Sequence, residues 1–202
     1  MKVTCLCLTR NRREWLPEAI ACYEAQTYQD IELLIVADEE SDVEGLIPPY
    51  SRIRVIVTGH LSIGEKRNIG CANATGEIIA HFDDDDHSTR DRVAGQVQRL
   101  IDTGKSVTAF HSMKFSDGTN WFQYHGDPSF GFDTSLCYFK AFWEKHEFGH
   151  INDGLEAGFR AAAIREGQFI SVDAGDLMFA SIHQGNTGPR VMTPGSSSWQ
   201  AI

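Results

Sequence analysis

The sequence predicts an α/β fold, a mostly parallel sheet with helices on both faces and a small mixed region toward the C-terminus. Three observations predict it. Apolar runs of strand length recur at residues 3–8, 31–37, 53–57 and 77–82. Helical periodicity or a helix-start signal lies between several of these runs. Polar or acidic residues follow the runs directly, where open α/β sheets place their ligands.

Taken in order, residues 3–8 form the first strand and Thr9-Arg10-Asn11-Arg12 the polar loop after it. Trp15, Leu16, Ala19, Ile20 and Tyr23 recur at helical spacing, with Pro17 tolerated in the first turn. The stretch 31–37 reads as a buried strand that stops at Asp38, and Pro48-Pro49 mark a loop before the strand at 53–57. Ser62 and Glu65 match a capping box, so a helix starts there and runs to about residue 74, with Gly76 closing it. Residues 77–82 form a strand ending in Asp83-Asp84-Asp85-Asp86; a helix around 91–101 and a strand at 107–110 follow. Beyond residue 110 the pattern is less regular. Aromatic residues, among them Trp121, Phe122, Tyr124 and Trp143, serve as core or as a ligand platform. Residues 153–165 have helix-forming composition, 177–182 read as the last strand, and Gly, Pro and Ser from residue 185 onward suggest a mobile tail. A single domain is expected, divided at 1–110, 111–184 and 185–202.

The 202 residues carry a formal net charge of −10, which excludes a general binder of nucleic-acid backbones while leaving room for a local basic pocket. The apolar runs are too short to cross a membrane. Met1-Lys2 leads straight into the first strand without the pattern of a signal peptide. Five cysteines, an odd number without a CxxC pair, suggest reduced thiols and a cytoplasmic setting.

Four adjacent carboxylates repel one another unless solvated or neutralised. Their place at the end of an apolar strand favours a divalent cation, and oxygen ligands favour Mg²⁺ or Mn²⁺. An EF-hand is excluded by the missing glycine and glutamate. Residues 59–66 resemble a P-loop, but Glu65 stands where the lysine must be. Lys66 and Arg67 oppose the dipole in the first turns of the capped helix, a cost that a bound anion would offset. His146-Glu147-Phe148-Gly149-His150 matches the H-E-x-x-H pattern of zinc metallopeptidases, but Gly149 weakens the helix that chemistry needs. It is retained as an alternative from another reaction class.

Taken together, the ordered motifs resemble family 2 glycosyltransferases of the GT-A fold. Residues 3–12 are similar to that family's opening strand and P-T-Y-N-R loop, and residues 24–28 to its N-Q-T-Y turn. Ile35-Val36-Ala37-Asp38 resembles V-V-D-D, Gly64-Glu65-Lys66-Arg67-Asn68-Ile69-Gly70 resembles G-x-A-R-N-x-G, and Phe82 to Asp86 falls where the family carries D-x-D. The resemblance implies a GT-A-like, Rossmann-related sheet that binds a nucleotide sugar in residues 1–110 and an acceptor in 111–184. It implies that Thr9, Arg10, Asn11, Asp38, Lys66, Arg67 and Asp84 line the nucleotide site. Asp83 and Asp85 would hold Mn²⁺ or Mg²⁺. Ile182-His183-Gln184-Gly185-Asn186-Thr187 resembles a late His-x-x-Asn-Thr segment, through which His183 would complete the metal shell. Asn152-Asp153 is the counterpart of the family's Glu-Asp, making Asp153 the catalytic base, with Glu156 as alternate. The implied reaction moves a sugar from a nucleotide diphosphate donor, a UDP-sugar by family expectation, to an acceptor hydroxyl with inversion. The acceptor class, whether glycan, lipid-linked or protein, stays open, and the tail would act as a lid. A non-catalytic nucleotide-sugar-binding module is the other reading. A nucleotidyltransferase is disfavoured because the first loop lacks a glycine-rich basic stretch.

Overall fold

The computed structural model describes residues 1–49, 52–152, 155–186 and 198–202, with the side chains of 155–157 outside that description. The first half comprises β1 (Val3–Thr9), α1 (Leu16–Glu24), β2 (Ile31–Ala37), β3 (Ile53–Val57), α2 (Ile63–Asn73), β4 (Ile78–His81), β5 (His87–Ser88) and α3 (Arg92–Thr103). The second comprises β6 (Val107–Ser116), β7 (Trp121–Tyr124), β8 (Cys137–Phe139), α4 (Lys140–Trp143), α5 (Leu155–Arg165), β9 (Phe169–Asp173), β10 (Met178–Ser181) and β11 (Trp199–Ala201).

The sheet runs β11-β7-β6-β8-β4-β1-β2-β3. Strands β1 to β4 are parallel to one another: Val3 pairs with Ile31 and Ile78, and Leu33 with Ile53, while β5 runs antiparallel to β10. Beyond β4 the pairing is mixed, since β8 runs antiparallel to β4 and β6 while β9 and β10 run parallel to β6. This is the expected parallel sheet with a mixed C-terminal region.

Strands β1 and β2 are apolar nearly throughout because helices cover both faces. Alternate side chains separate onto two cores. Val3, Cys5, Cys7, Leu33 and Ile35 meet α1 and α3 through Leu16, Ile20, Val93, Val97 and Leu100. On the other face Leu6, Leu34, Val36 and Ile79 meet α2, α4 and α5 through Cys71, Phe142, Phe159 and Ala163. The aromatic cluster of the second half is mostly core, with Phe122 and Tyr124 packed against Phe110, Met113 and Phe115, and Trp143 buried on the α2 side. Trp121 remains substantially exposed.

Four expectations need correction. Helix α2 ends at Asn73, with Ala74 extended; Gly76 does not close it but lets the backbone pass Thr4, whose N would lie 2.5 Å from an added Cβ. Strand β6 continues past residue 110 to Ser116, because β7 and β10 pair with its far end. The strand around 177–182 is not the last, since Trp199–Ala201 pairs antiparallel with Trp121–Tyr124 rather than belonging to a mobile tail; residues 187–197 lie outside the described residues. The H-E-x-x-H segment is not helical beyond Trp143, and His146 pairs with Glu166 at 2.8 Å, so its histidines do not share a helical face. All five cysteines are free and buried, and among the described residues no helix is long and apolar enough to cross a membrane.

Candidate donor-binding and metal site

The strand order reverses between β1 and β4, and the loops after β1, β2 and β4 open at the same edge of the sheet. Open α/β sheets form their ligand crevice at such a switch point. A cleft of about 370 Å³ lies there, and seven of the anticipated residues line it: Thr9, Arg10, Asn11, Lys66, Arg67, Asp83 and Asp84.

The first loop turns sharply at Asn11, whose φ of 52° is in the left-handed region that Asn tolerates best after Gly. Its N–H donates to Asp42 Oδ1 at 2.9 Å, fixing the turn against the 3₁₀ segment Glu40–Asp42. Asp38, buried after β2, is not among the cleft-lining residues. Lys66 Nζ donates to its Oδ1 at 2.6 Å, while Arg10 Nε and His60 Nδ1 stand 3.3 and 3.1 Å from Oδ2. Burial works against the Asp38 charge, but the hydrogen bonds from Lys66 and His60 prevail and hold its pKa below the ordinary range. Lys66 is thus a buried counter-ion tying α2 to the ends of β1 and β2, also reaching Thr9 O at 3.3 Å. The capping box forms as anticipated: Glu65 N donates to Ser62 Oγ at 3.3 Å, and Ser62 N to Glu65 Oε2 at 2.9 Å.

The four consecutive acids have different surroundings. Asp83 faces Arg67 Nη2 at 3.5 Å. Asp84 and Asp85 share Arg12, whose Nη1 lies 3.0 and 2.9 Å from them. Asp85 Oδ2 also meets His183 Nε2 at 2.9 Å and Asn186 Nδ2 at 3.2 Å. Asp86 is an anchor, accepting from the Thr134 hydroxyl and from Ser181 N. Asp84 Oδ2 is buried without a hydrogen bond of good geometry, although the Thr9 hydroxyl is near enough to lower its pKa. Burial, then the Asp85 charge, nevertheless pushes Asp84 up to about 7. Asp85 and His183 bring an oxygen and a nitrogen 2.9 Å apart, ligand types that suit Mn²⁺ or Mg²⁺, while neither Asp83 nor Asp84 brings a third ligand atom within 4.8 Å of both.

The sequence alone assigned no role to Arg12, although it belongs to the polar loop after β1. It also missed the buried support beneath the acids. Arg92, fully enclosed, donates to His81 O at 2.6 Å, Thr134 O at 3.2 Å and Ser88 Oγ at 2.7 Å. Burial, followed by the Arg67 charge, holds His81 well below its usual pKa, so the ring is neutral between Asp133 O and Tyr138 Oη. Asp153 lies outside the described residues. Its neighbour Asn152 lines the cleft and accepts from Ile63 N at 3.0 Å, and Glu156 is on α5 with its side chain outside the description.

Fold and site together define an α/β protein with a nucleotide-sized cleft at a topological switch point, lined by four basic side chains and two acidic ones. Residues 5–167 match the model of glycosyl transferase family 2, and the chain belongs to that family of transferases. An uncharacterized glycosyltransferase of Rickettsia felis is 28% identical over 134 residues, covering 57% of this chain and 22% of its own length. Glycosyltransferase GlyA of Streptococcus pneumoniae is 24% identical over 129 residues, covering 61% and 18%. The chain therefore spans about a fifth of the length of these relatives. Among solved structures, Staphylococcus aureus TarS 1–349 in complex with UDP-GlcNAc superposes with a TM-score of 0.74 at 14% identity, covering 96% of this chain and 62% of TarS 1–349. Mannosyltransferase PcManGT from Pyrobaculum calidifontis, in complex with GDP-Man and Mn²⁺, gives 0.70 at 15% identity, covering 90% and 56%. At these identities the likeness is one of fold, and that fold is GT-A.

Proposed function

We propose that the chain transfers a sugar from a nucleotide diphosphate donor, with UDP as the nucleotide, to an acceptor hydroxyl with inversion, in the cytoplasm. The observation that carries this reading is the switch-point cleft, where Arg10, Lys66 and Arg67 stand with Asp83 and Asp84, next in sequence to an Asp85 paired with His183 at 2.9 Å. The nucleotide-sugar complexes of TarS and PcManGT support it.

In this reading Asp83, Asp85 and His183 hold Mn²⁺ or Mg²⁺, and Asp84 reaches the ribose or the ion. The metal, when bound, supplies Lewis-acid stabilisation to the departing diphosphate. Thr9, Arg10 and Asn11 wall the nucleotide pocket, and Asp38, kept ionised by Lys66, meets the base by exchanging its contact with Arg10 or His60. Arg67 places a buried positive charge on the phosphate side. Asp153 accepts the acceptor proton, with Glu156 as the alternate base. Residues 1–110 then form the donor half and 111–184 the acceptor half.

A thermal-shift panel of UDP- and GDP-sugars with and without Mn²⁺ tests the donor site. Stabilisation by a UDP-sugar only when Mn²⁺ is present is expected, and no stabilisation by either nucleotide class sinks the reading. Turnover of Asp153→Ala and Glu156→Ala then separates the two bases. Donor binding with no sugar transfer or hydrolysis would instead identify a non-catalytic binding module.

A further inference from the structure

Glu18 and Cys22 are one helical turn apart on α1, and β5 brings His87 across to them. Cys22 Sγ lies 3.5 Å from His87 Nδ1 and 3.9 Å from Glu18 Oε1, and Nδ1 and Oε1 are 3.2 Å apart. Tetrahedral zinc, with bonds of about 2.3 Å to sulfur and about 2.0–2.1 Å to nitrogen or oxygen, separates its ligand atoms by about 3.3–3.6 Å. Two edges of the observed triangle are within about 0.1 Å of that spacing, and the third is longer by a few tenths. The three atoms already outline one face of such a tetrahedron.

Their surroundings suit the same role. Cys22 is buried against the sheet, His87 is half-buried, and Glu18 is exposed, so the triangle is closed on the protein side and open to water. The His87 ring lies flat on Phe179, with centroids 4.4 Å apart and planes 14° apart, which fixes the direction of Nδ1. A hydrogen bond from the Ser88 backbone reaches the Cys22 side chain, the kind of outer contact that holds a sulfur ligand in place. Thiolate, imidazole and carboxylate together select zinc over the harder Mg²⁺ or Mn²⁺.

We propose that Glu18, Cys22 and His87 form a second metal site, for Zn²⁺, with water in the fourth position. On binding, the Cys22 thiol releases its proton to solvent and the sulfur ligates as thiolate. Because α1 follows the Thr9–Arg12 turn and His87 follows the acidic loop, the ion clamps together the two loops that border the cleft. The proposal does not depend on the identity of the donor.

The test uses the full chain, stripped with chelator and titrated with Co²⁺ as a spectroscopic surrogate. One equivalent producing a thiolate-to-cobalt charge-transfer band, displaced by Zn²⁺, is expected. The band should be absent in Cys22→Ser and persist in Asp85→Asn. Because Glu18 is exposed, Glu18→Gln will fold, and it should weaken Co²⁺ binding by about tenfold or more. Absence of the band in the wild type overturns the proposal, as does an undiminished band in Cys22→Ser, which assigns it to another thiol. Loss of the band in Asp85→Asn also overturns it, by placing the ion at the acidic loop.

Discussion

Arg12 Nη1 stands 2.9 Å from Asp85 Oδ2, the same oxygen that meets His183 at 2.9 Å, so a guanidinium already neutralises the carboxylate proposed to hold the metal. The same nitrogen reaches Asp84 Oδ1 at 3.0 Å, and Nη2 donates to Gly185 O, joining the first loop, the acidic loop and the segment after β10. A divalent ion entering between these acids has to compete with Arg12.

Arg12→Gln removes the competing charge. Mn²⁺ affinity, followed by isothermal titration, should rise about tenfold, equivalent to about 1.4 kcal/mol. The metal-free variant should melt lower than wild type, since Asp84 loses the cation beside it and Asp85 one of its three partners. Unchanged or weaker Mn²⁺ binding would show that Arg12 does not compete with the ion.

Asp84→Asn tests the raised pKa of its carboxyl, pushed up to about 7 mainly by burial and then by Asp85. In the unfolded chain an Asp titrates near pH 3.9. The folded state therefore holds this proton more tightly, and its stability falls as pH rises from about 4 to about 7. With metal chelated, the variant should melt higher than wild type above pH 7, by about 2–4 °C for each kcal/mol recovered. The gain should shrink toward zero near pH 4. A variant that melts lower at pH 8 would mean that the charged Asp84–Arg12 pair outweighs the burial cost.

How much of this site was legible in the sequence depends on the range of the interaction. The Ser62–Glu65 cap spans three residues and forms as expected. The link from Asp83 and Asp84 to the ends of the apolar strands was equally local, and both do face the cleft. Arg92, by contrast, begins a helix of ordinary composition, and only the fold brings the carbonyls of His81 and Thr134 to its guanidinium. Gln26, part of the N-Q-T-Y-like turn, likewise proves to be a bracket, donating to Thr89 O at 2.8 Å and accepting from Val93 N at 3.0 Å. Composition misled at the C-terminus, where Trp199 gains its partners from the distant β7 rather than from neighbours in sequence.

Glu32→Gln addresses the acid limb of stability. Glu32 lies on β2; burial opposes its charge, but the Thr75 N–H at 2.8 Å and the Thr4 hydroxyl at 2.7 Å lower its pKa to about 2. A depressed carboxyl pKa stabilises the fold above the unfolded value of about 4.3, and that contribution is lost as pH falls toward about 2. The variant should melt lower than wild type at pH 6, with the difference closing between about pH 4.5 and 2. A pH-independent difference would assign the effect to lost hydrogen-bond geometry rather than to charge.

Gly64→Ala probes how the wall containing Asn152 is held. An added Cβ would sit 1.7 Å from Gly149 O, a backbone atom that cannot rotate away as a side chain can. Gly64 N donates to Ile151 O at 3.1 Å, and Asn68 clasps the same segment by donating to Phe148 O at 2.9 Å and accepting from Phe148 N at 3.0 Å. Alanine in a helix gains about 1 kcal/mol in propensity over glycine, whereas overpacking costs about 1–3 kcal/mol. The two nearly offset, so the melting temperature should fall by only a few degrees while the segment moves off the start of α2. Displacement of this wall by about 1 Å should lower transferase turnover by about a hundredfold. Donor and Mn²⁺ binding, which rest mainly on the loops after β1 and β4, should change far less. Wild-type turnover together with a raised melting temperature would show that residues 149–152 yield at little cost and do not position the acceptor side of the site.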